Sequence, residues 1–229
     1  RNDRNRLGVS INNLILLGNC GIYDLTVLPG EDPGLRCVSD QHNNNSGAVA
    51  VAKYGAFDAL VFGGDYTGHI STEAIAQDFL KYSGNIAKGT KPVIYPRGNH
   101  EIRGQYTHWI DEVMPTSETG KSYYEFVMGD IYGIVLDCGG SYTDNYTDIA
   151  DTIDFEPYRV EQTRWLEKIY AKGTWRQYDK RVIFSHVPPP AHTSRRLSGL
   201  TDRTYFPSTL KFRVNFAKKI YNTYIIYQR

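Results

Sequence analysis

The stretch Val93-Ile-Tyr-Pro-Arg-Gly-Asn-His-Glu101 passes from apolar residues to residue types that bind metal ions. Its first part, Val93–Tyr95, is a short apolar run, which is typical of a buried parallel strand. In α/β sheets, ligands bind just beyond the carboxyl ends of such strands. The stretch therefore predicts an α/β fold with Asn99 and His100 close to a functional site.

Three other apolar runs are followed by polar motifs in the same way. Leu35–Val38 precedes Ser39-Asp40-Gln41-His42, Leu60–Phe62 precedes Gly63-Gly64-Asp65, and Val182–Phe184 precedes Ser185-His186. Because the carboxyl ends of parallel strands lie at one edge of a sheet, the polar residues of all four motifs can meet at one point. Aspartate, asparagine and histidine together suit divalent metal ions, and one carboxylate can bridge two of them.

Asn19 is a second candidate for the first metal-binding position, because it follows the apolar run Leu14–Leu17. It is followed by Cys20 and Gly21, so the motif lacks a histidine there. Asp40 with His42 therefore fits better.

The order of the predicted elements indicates two layers of strands between helices. A helix up to Tyr54 and another at Glu73–Ser83 separate the first three strands, which is a βαβαβ arrangement. Tyr123–Met128 and Ile131–Leu136 predict an antiparallel pair of strands. Residues 156–171 predict a helix whose inward-facing residues are Val160, Trp165, Leu166 and Ile169. We therefore expect an α/β fold, a two-sheet α/β/β/α sandwich with mixed sheets.

The chain divides into two unequal parts. Residues 1–34 form a β segment with strands at Asn13–Leu17 and Tyr23–Leu28, which is either an edge hairpin or the remnant of a preceding β domain. Residues 35–229 form the main domain, which ends in a predicted helix at Ser208–Asn222 and a strand at Thr223–Tyr227.

The four motifs resemble those of the calcineurin-like metallophosphoesterase family, whose pattern is D-x-H, G-D, G-N-H-E, a lone His and G-H-x-H. The first four are present in that order, and the resemblance runs from Leu35 to the end of the chain. No Gly-His-x-His occurs in the sequence. Because the chain ends a few residues before the place of this motif, we interpret the domain as truncated at its carboxyl end. Natural loss of two metal-binding histidines is the alternative.

The resemblance implies a centre of two divalent metal ions and a role for each motif. It implies that Asp40 and His42 bind the first ion, that Asp65 bridges both, and that Asn99 and His186 bind the second. His100 would remain uncoordinated beside the substrate, where it stabilises the transition state or protonates the leaving oxygen, a task that suits histidine. Glu101 would support the metal ligands from behind or start a helix.

Further residues are candidates for substrate binding or support. Arg97 and Arg103 flank the third motif, and we prefer Arg103 as a phosphate-binding residue because it lies past the strand end. His192 could reach the substrate, although a histidine in a loop more often faces solvent. Asp137, at the end of a predicted strand, could orient a histidine ligand or could be a structural carboxylate.

The identity of the metal is narrowed by one departure from the family. Purple acid phosphatases, one of its branches, bind ferric iron through a tyrosine three residues after the bridging aspartate, where this chain has Gly68. Tyr66 stands one residue after Asp65 instead. We therefore expect manganese, iron(II) or zinc without a tyrosine ligand, and of these we prefer manganese.

Composition excludes several other classes of protein. The 26 Lys and Arg residues nearly balance the 25 Asp and Glu residues, so nothing in the overall charge favours nucleic acid or an acidic membrane. Three scattered cysteines do not make a disulfide framework, and we interpret Cys37 and Cys138 as packing residues in strands. No apolar run approaches the ~18 residues of a membrane span.

The amino end lacks an initiating Met and a recognisable signal peptide. We therefore expect a soluble protein, cytoplasmic rather than secreted, from a chain trimmed at that end.

The leading hypothesis is a metal-dependent phosphoesterase that hydrolyses a phosphomonoester or a phosphodiester with metal-activated water. The alternative is a non-catalytic binding module on a degenerate phosphoesterase fold. A nuclease is possible but not favoured, because no basic stripe with interleaved aromatic residues is present.

Overall fold

The computed structural model describes residues 22–25, 34–43, 56–113, 120–137, 139–140, 154–186 and 223–227. The predicted strand at Asn13–Leu17, the predicted helices ending at Tyr54 and spanning Ser208–Asn222, and the loop that carries His192 lie outside these residues.

A three-stranded parallel sheet carries the first three motifs. It consists of β2 (Leu35–Val38), β3 (Ala59–Phe62) and β4 (Val93–Ile94) in that order. Helix α1 (Glu73–Ala87) crosses from β3 to β4, which confirms the predicted parallel arrangement. The helix is one turn longer than predicted, and Lys88, in the left-handed conformation, ends it.

A five-stranded sheet carries the fourth motif. Its strands, in spatial order, are β1 (Ile22–Leu25), β5 (Tyr124–Met128), β6 (Ile131–Leu136), β7 (Lys180–Ser185) and β8 (Thr223–Tyr227). The β5–β6 pair is antiparallel and every other pair is parallel, so this sheet is mixed. The strands predicted at Ile131–Leu136 and Thr223–Tyr227 are confirmed with those bounds.

Three apolar layers separate the sheets and helices, which confirms the α/β/β/α sandwich. On the outer face of the three-stranded sheet, Phe79 and Ile86 of α1 pack with Leu60 and Phe62. Between the sheets lie Ala59, Val61, Ile94, Phe126, Val135 and Phe184. On the outer face of the five-stranded sheet, helix α3 (Phe155–Lys172) buries Leu166 and Ile169 against Ile134 and Leu136.

The inward face of α3 differs in part from the prediction. Leu166 and Ile169 are buried as expected, and the half-buried Trp165 packs against the same core, whereas Val160 is only half-buried. Three polar residues are buried instead, namely Arg159, Gln162 and Thr163. The amino-terminal half of α3 packs against the polar backbone at the end of β6. There the amide of Gln162 makes hydrogen bonds that an apolar side chain could not make.

Two short elements complete the described structure: helix α2 (His108–Val113) and a 3₁₀ helix at Thr174–Gln177. Among the described residues, no helix combines the length and the apolar character that crossing a membrane requires.

Candidate metal centre

The first two motifs are joined backbone to backbone at the carboxyl ends of β2 and β3. The Asp40 N–H donates to the Gly64 carbonyl (3.0 Å), and the His42 N–H donates to the Asp65 carbonyl (3.0 Å). The Asn43 N–H donates to the Tyr66 carbonyl (2.8 Å). The two loops therefore form one rigid unit that presents Asp40, His42 and Asp65 together.

Unusual backbone conformations are concentrated in this unit. Five described residues other than glycine have a positive φ, and four of them are Asp40 (55°), His42 (42°), Asn43 (70°) and Asp65 (56°). Such a conformation costs about 1–3 kcal/mol at a residue with a side chain, and it persists where the surrounding structure requires it. Its concentration at three candidate ligands points to a functional site.

The third motif lies against the second because two glycines allow the backbones to touch. A Cβ atom on Gly64 would lie 2.4 Å from the Gly98 nitrogen, and one on Gly98 would lie 2.2 Å from Asp65 Oδ1. Any larger residue at either position would push the two loops apart.

Asp65 is the centre of the site. Its Oδ2 atom lies 3.2 Å from His186 Nε2, 3.7 Å from His100 Nε2 and 3.8 Å from His42 Nε2. Its Oδ1 atom accepts the His100 N–H (3.0 Å). Burial raises the pKa of the Asp65 carboxyl, but the hydrogen bond and charge of His186 and the His100 N–H outweigh burial and lower it.

Two groups of potential ligand atoms share Asp65. One group is Asp40, Asp65 and His186, the other is His42, Asp65 and His100, and within each group the atoms lie within 4.8 Å of one another. Asp65 is thus the carboxylate that the two groups have in common. The grouping differs from that implied by the family resemblance, which pairs Asp40 with His42 and leaves His100 uncoordinated.

His186 is oriented as a metal-binding histidine would be. Its Nδ1 atom donates to the Gly63 carbonyl (2.7 Å), because a carbonyl oxygen can only accept, and Nε2 is therefore directed at Asp65. Burial lowers the pKa of His186, but the hydrogen bond and charge of Asp65 outweigh burial and raise this pKa above its usual range. A metal ion bound here has to displace that proton.

Glu101 holds the second and third motifs together from inside the protein. This fully buried carboxylate accepts the N–H groups of Asp65 (2.8 Å), Tyr66 (2.9 Å) and Gly98 (2.8 Å). Burial and the nearby Asp65 charge raise the pKa of the Glu101 carboxyl above its usual range, although the backbone donors oppose this. Its contacts are those expected of a residue that supports the ligands from behind.

His100 lies on the more open side of Asp65. Its Nδ1 atom donates to the Gly68 carbonyl (2.8 Å), and its ring meets the His42 ring edge to face at 4.8 Å. Arg103 Nη1 lies 3.4 Å from both of its ring nitrogens. His69, which sequence analysis did not single out, is exposed, with its ring centre 6.3 Å from that of His100. Its only sequence signal is its place four residues after Asp65.

The remaining candidates have different surroundings. Asn99 is half-buried in the same loop as His100, and His192 lies outside the described residues. Arg97 Nη2 pairs with Asp137 Oδ2 at 2.5 Å, so this end of the guanidinium is already engaged by a carboxylate. Asp137 also accepts the Tyr158 hydroxyl (2.7 Å) and the Gly139 N–H (2.9 Å). Its described contacts are those of a structural carboxylate, and none of them is to a histidine.

The donor set fits two divalent transition-metal ions. Two carboxylates, the imidazoles of His42 and His186 and the nearby Asn99 amide supply the nitrogen and oxygen ligands that manganese, iron(II) and zinc accept. Tyr66 does not belong to this set, because its side chain is buried and its hydroxyl donates to the Ile75 carbonyl (3.1 Å).

Comparison with known proteins points to the same chemistry. A family model described as calcineurin-like phosphoesterase matches residues 35–216, which is more than half of the chain. The family is one of metal-dependent phosphoester hydrolases. A comparison with curated proteins gives no significant match. Among solved structures, a dimetal phosphatase from Danio rerio matches with 14% identity and a TM-score of 0.48, over 69% of this chain and 71% of that one. A likeness at this level carries no functional argument.

Proposed function

The chain belongs to the calcineurin-like phosphoesterase family, and from this we propose that it hydrolyses a phosphomonoester or a phosphodiester. The observation that carries the proposal is the position of Asp65, whose carboxylate belongs to both groups of potential metal ligands. A carboxylate shared in this way suits a pair of ions that act on one phosphate.

In the proposed enzyme, Asp40, His42, Asp65, Asn99 and His186 hold two ions, with manganese preferred over iron(II) and zinc. When bound, these ions supply an activated water and neutralise charge on the phosphate oxygens. Tyr66 takes no part, because burial raises the pKa of its phenol and keeps it protonated.

His100 is the proposed acid for the leaving group. Its Nδ1–H is held by the Gly68 carbonyl, so Nε2 is the atom that exchanges a proton. As water attacks phosphorus and the bond to the leaving oxygen breaks, that oxygen takes the Nε2 proton. Arg103, whose guanidinium lies beside His100, is the proposed phosphate-binding residue, and His192 remains a candidate for the substrate side.

Metal content and hydrolysis, measured together, test the proposal. Elemental analysis of the chain, and of a form extended at its carboxyl end with the native sequence, should find two transition-metal ions per chain. Hydrolysis of p-nitrophenyl phosphate and of bis(p-nitrophenyl) phosphate should depend on those ions and distinguish a monoesterase from a diesterase.

Asp65→Asn is the decisive variant. It keeps the shape of the side chain but weakens a ligand shared by both ions, so hydrolysis should be lost while the unfolding transition remains. Absence of metal in both lengths of chain, after manganese and zinc are supplied, would contradict an enzyme and favour the non-catalytic module. Metal in the longer form alone would mean that a further ligand follows Arg229.

A further inference from the structure

Arg97 is a largely buried arginine, close in sequence to the proposed ligand Asn99, and the proposed chemistry does not use it. It lies two residues before Asn99, and only 11% of its side chain is exposed. One end of its guanidinium meets Asp137 Oδ2 at 2.5 Å, and the other meets Asp111 Oδ1 at 3.1 Å. An arginine held at both ends in this way is not free to bind phosphate.

Asp137 is an unusually well-fixed partner for this arginine. Its side chain is fully buried and also accepts the Tyr158 hydroxyl and the Gly139 N–H. Gln162 of α3 makes two hydrogen bonds to the Asp137 backbone. Gln162 Oε1 accepts the Asp137 N–H (2.9 Å), and Gln162 Nε2 donates to the Asp137 carbonyl (2.8 Å). Asp137 is therefore held in place. It has little freedom to move with Arg97 if the loop that carries Arg97 shifts.

The register of the five-stranded sheet places Asp137 next to His186, which is a proposed metal ligand. Leu136 at the end of β6 pairs with Ser185 at the end of β7, and the strands are parallel. The next residues, Asp137 and His186, therefore leave adjacent strands at the same level. Arg97 is two residues before Asn99, and Asp137 lies alongside His186. Their ion pair therefore connects the two loops that carry these proposed ligands.

This pair also joins the two sheets at the edge where the site lies. Asn99 is carried by the loop after β4 of the three-stranded sheet, whereas His186 follows β7 of the five-stranded sheet. Further in, the contacts between the sheets are mainly apolar, with one buried hydrogen bond from the Tyr95 N–H to the Tyr124 hydroxyl (3.0 Å). A charge-assisted, hydrogen-bonded pair has a defined geometry, which apolar packing does not impose to the same degree.

We propose that the Arg97–Asp137 ion pair is a positioning device that sets the separation of Asn99 from His186 and thereby the affinity of one of the two metal positions. The inference rests on the proposed function, because it concerns ligands of the same centre. Arg97 and Asp137 are positioning residues in this view, and neither contacts the substrate.

Manganese binding to the full chain tests this inference without a substrate. The two measurements are calorimetric titration with Mn²⁺ and the electron paramagnetic resonance spectrum of the loaded protein, which distinguishes a coupled pair of ions from an isolated one. Asp137→Asn keeps the shape of the side chain but removes its charge, and Arg97→Met removes the guanidinium. In both variants we expect one of the two ions to bind about 10–100-fold more weakly, with the spectrum of an isolated Mn²⁺.

The chain offers a matched control and a conservative variant. Asp111→Asn makes the same substitution on the other partner of Arg97, where the side chain is 48% exposed, and should leave both ions and their coupling unchanged. Arg97→Lys keeps the charge without the fork and should give an intermediate affinity. If Arg97→Met and Asp137→Asn do not fold, the comparison of Arg97→Lys with Asp111→Asn decides the question.

Two outcomes would overturn the inference, and they are distinguishable. Wild-type protein that binds two Mn²⁺ ions, with folded Asp137→Asn and Arg97→Lys variants that bind them equally well, would make the pair a purely structural contact. Wild-type protein that binds no Mn²⁺, Zn²⁺ or Fe²⁺ would contradict the proposed function itself, and the inference would fail with it.

Discussion

Replacing Gly98 with alanine should separate the second and third motifs and disable the site. The added Cβ would lie 2.2 Å from Asp65 Oδ1, 2.4 Å from the Asp65 nitrogen and 2.5 Å from Glu101 Oε2, whereas ordinary contacts begin at 3.4 Å. None of these atoms yields easily, because Asp65 Oδ1 accepts the His100 N–H and Glu101 accepts three backbone N–H groups. The loops must therefore move apart by about 1 Å, a displacement that can cost ~10²-fold in rate when it affects reacting groups.

The expected magnitudes follow from this overlap. Overpacking alone costs about 1–3 kcal/mol, and strained hydrogen bonds to Glu101 add about 1 kcal/mol, so the free energy of unfolding should fall by about 2–4 kcal/mol. The turnover number for p-nitrophenyl phosphate at saturating Mn²⁺ should fall by ~10²-fold or more. Urea unfolding and steady-state kinetics measure the two effects separately.

Gly84→Ala is the matched control. Gly84 lies within α1, and an added Cβ would have no heavy atom within 4 Å. Alanine has the higher helix propensity, so this variant should gain about 0.5–1 kcal/mol of stability and keep its activity. A Gly98→Ala protein with wild-type stability and turnover would refute the close approach of the two loops.

Three further outcomes are expected. His100→Ala should lower turnover by ~10²–10⁴-fold while both metal ions remain bound, as elemental analysis would verify; undiminished turnover would exclude it as the acid, and loss of metal would make it a ligand. Thr72→Ala should reduce the free energy of urea unfolding by about 0.5–2 kcal/mol, because Thr72 Oγ1 accepts the Ile75 N–H at the start of α1; an unchanged midpoint would contradict this capping role. Burial raises the pKa of the Cys37 thiol to about 11. At pH 8, iodoacetamide should therefore modify this thiol at least ~100-fold more slowly in the folded chain than in urea, and peptide mass spectrometry can follow both rates. Equal rates would show that the thiol is exposed in the folded chain.

Local sequence patterns were sufficient for the strands and for the loops that follow them. Leu35–Val38 and Ile131–Leu136 are strands with the predicted bounds, because a mainly apolar run of four to six residues between polar residues is too short for a typical helix and is typical of a strand. Parallel strands bring the loops that follow them to one edge of a sheet, so the proximity of Asp40 and Asp65, which follow β2 and β3, could be predicted without coordinates. His186 follows β7 of the other sheet, and the packing of the two sheets brings it to Asp65.

Local patterns were misleading where a helix faces polar backbone. In α3, Val160 was expected to face inward but is only half-buried, and Arg159 and Gln162 are buried instead. The reason is that the Gln162 side chain makes two hydrogen bonds to the Asp137 backbone. A polar side chain is therefore buried where the pattern predicts an apolar one. Periodicity records the apolar character of each residue and contains no information about a polar partner elsewhere in the chain.

The sequence by itself determined the sandwich, the edge on which the site lies and the residue types available to bind metal ions, because each of these follows from local periodicity and the direction of parallel strands. Only the tertiary structure decided that Asp65 belongs to both ligand groups, that Glu101 gathers three backbone N–H groups and that Arg97 pairs with Asp137, 40 residues away. These contacts depend on the distance between two sheets and on which side of a loop each side chain leaves. Both are set by packing across the whole domain, and no local stretch of sequence specifies them.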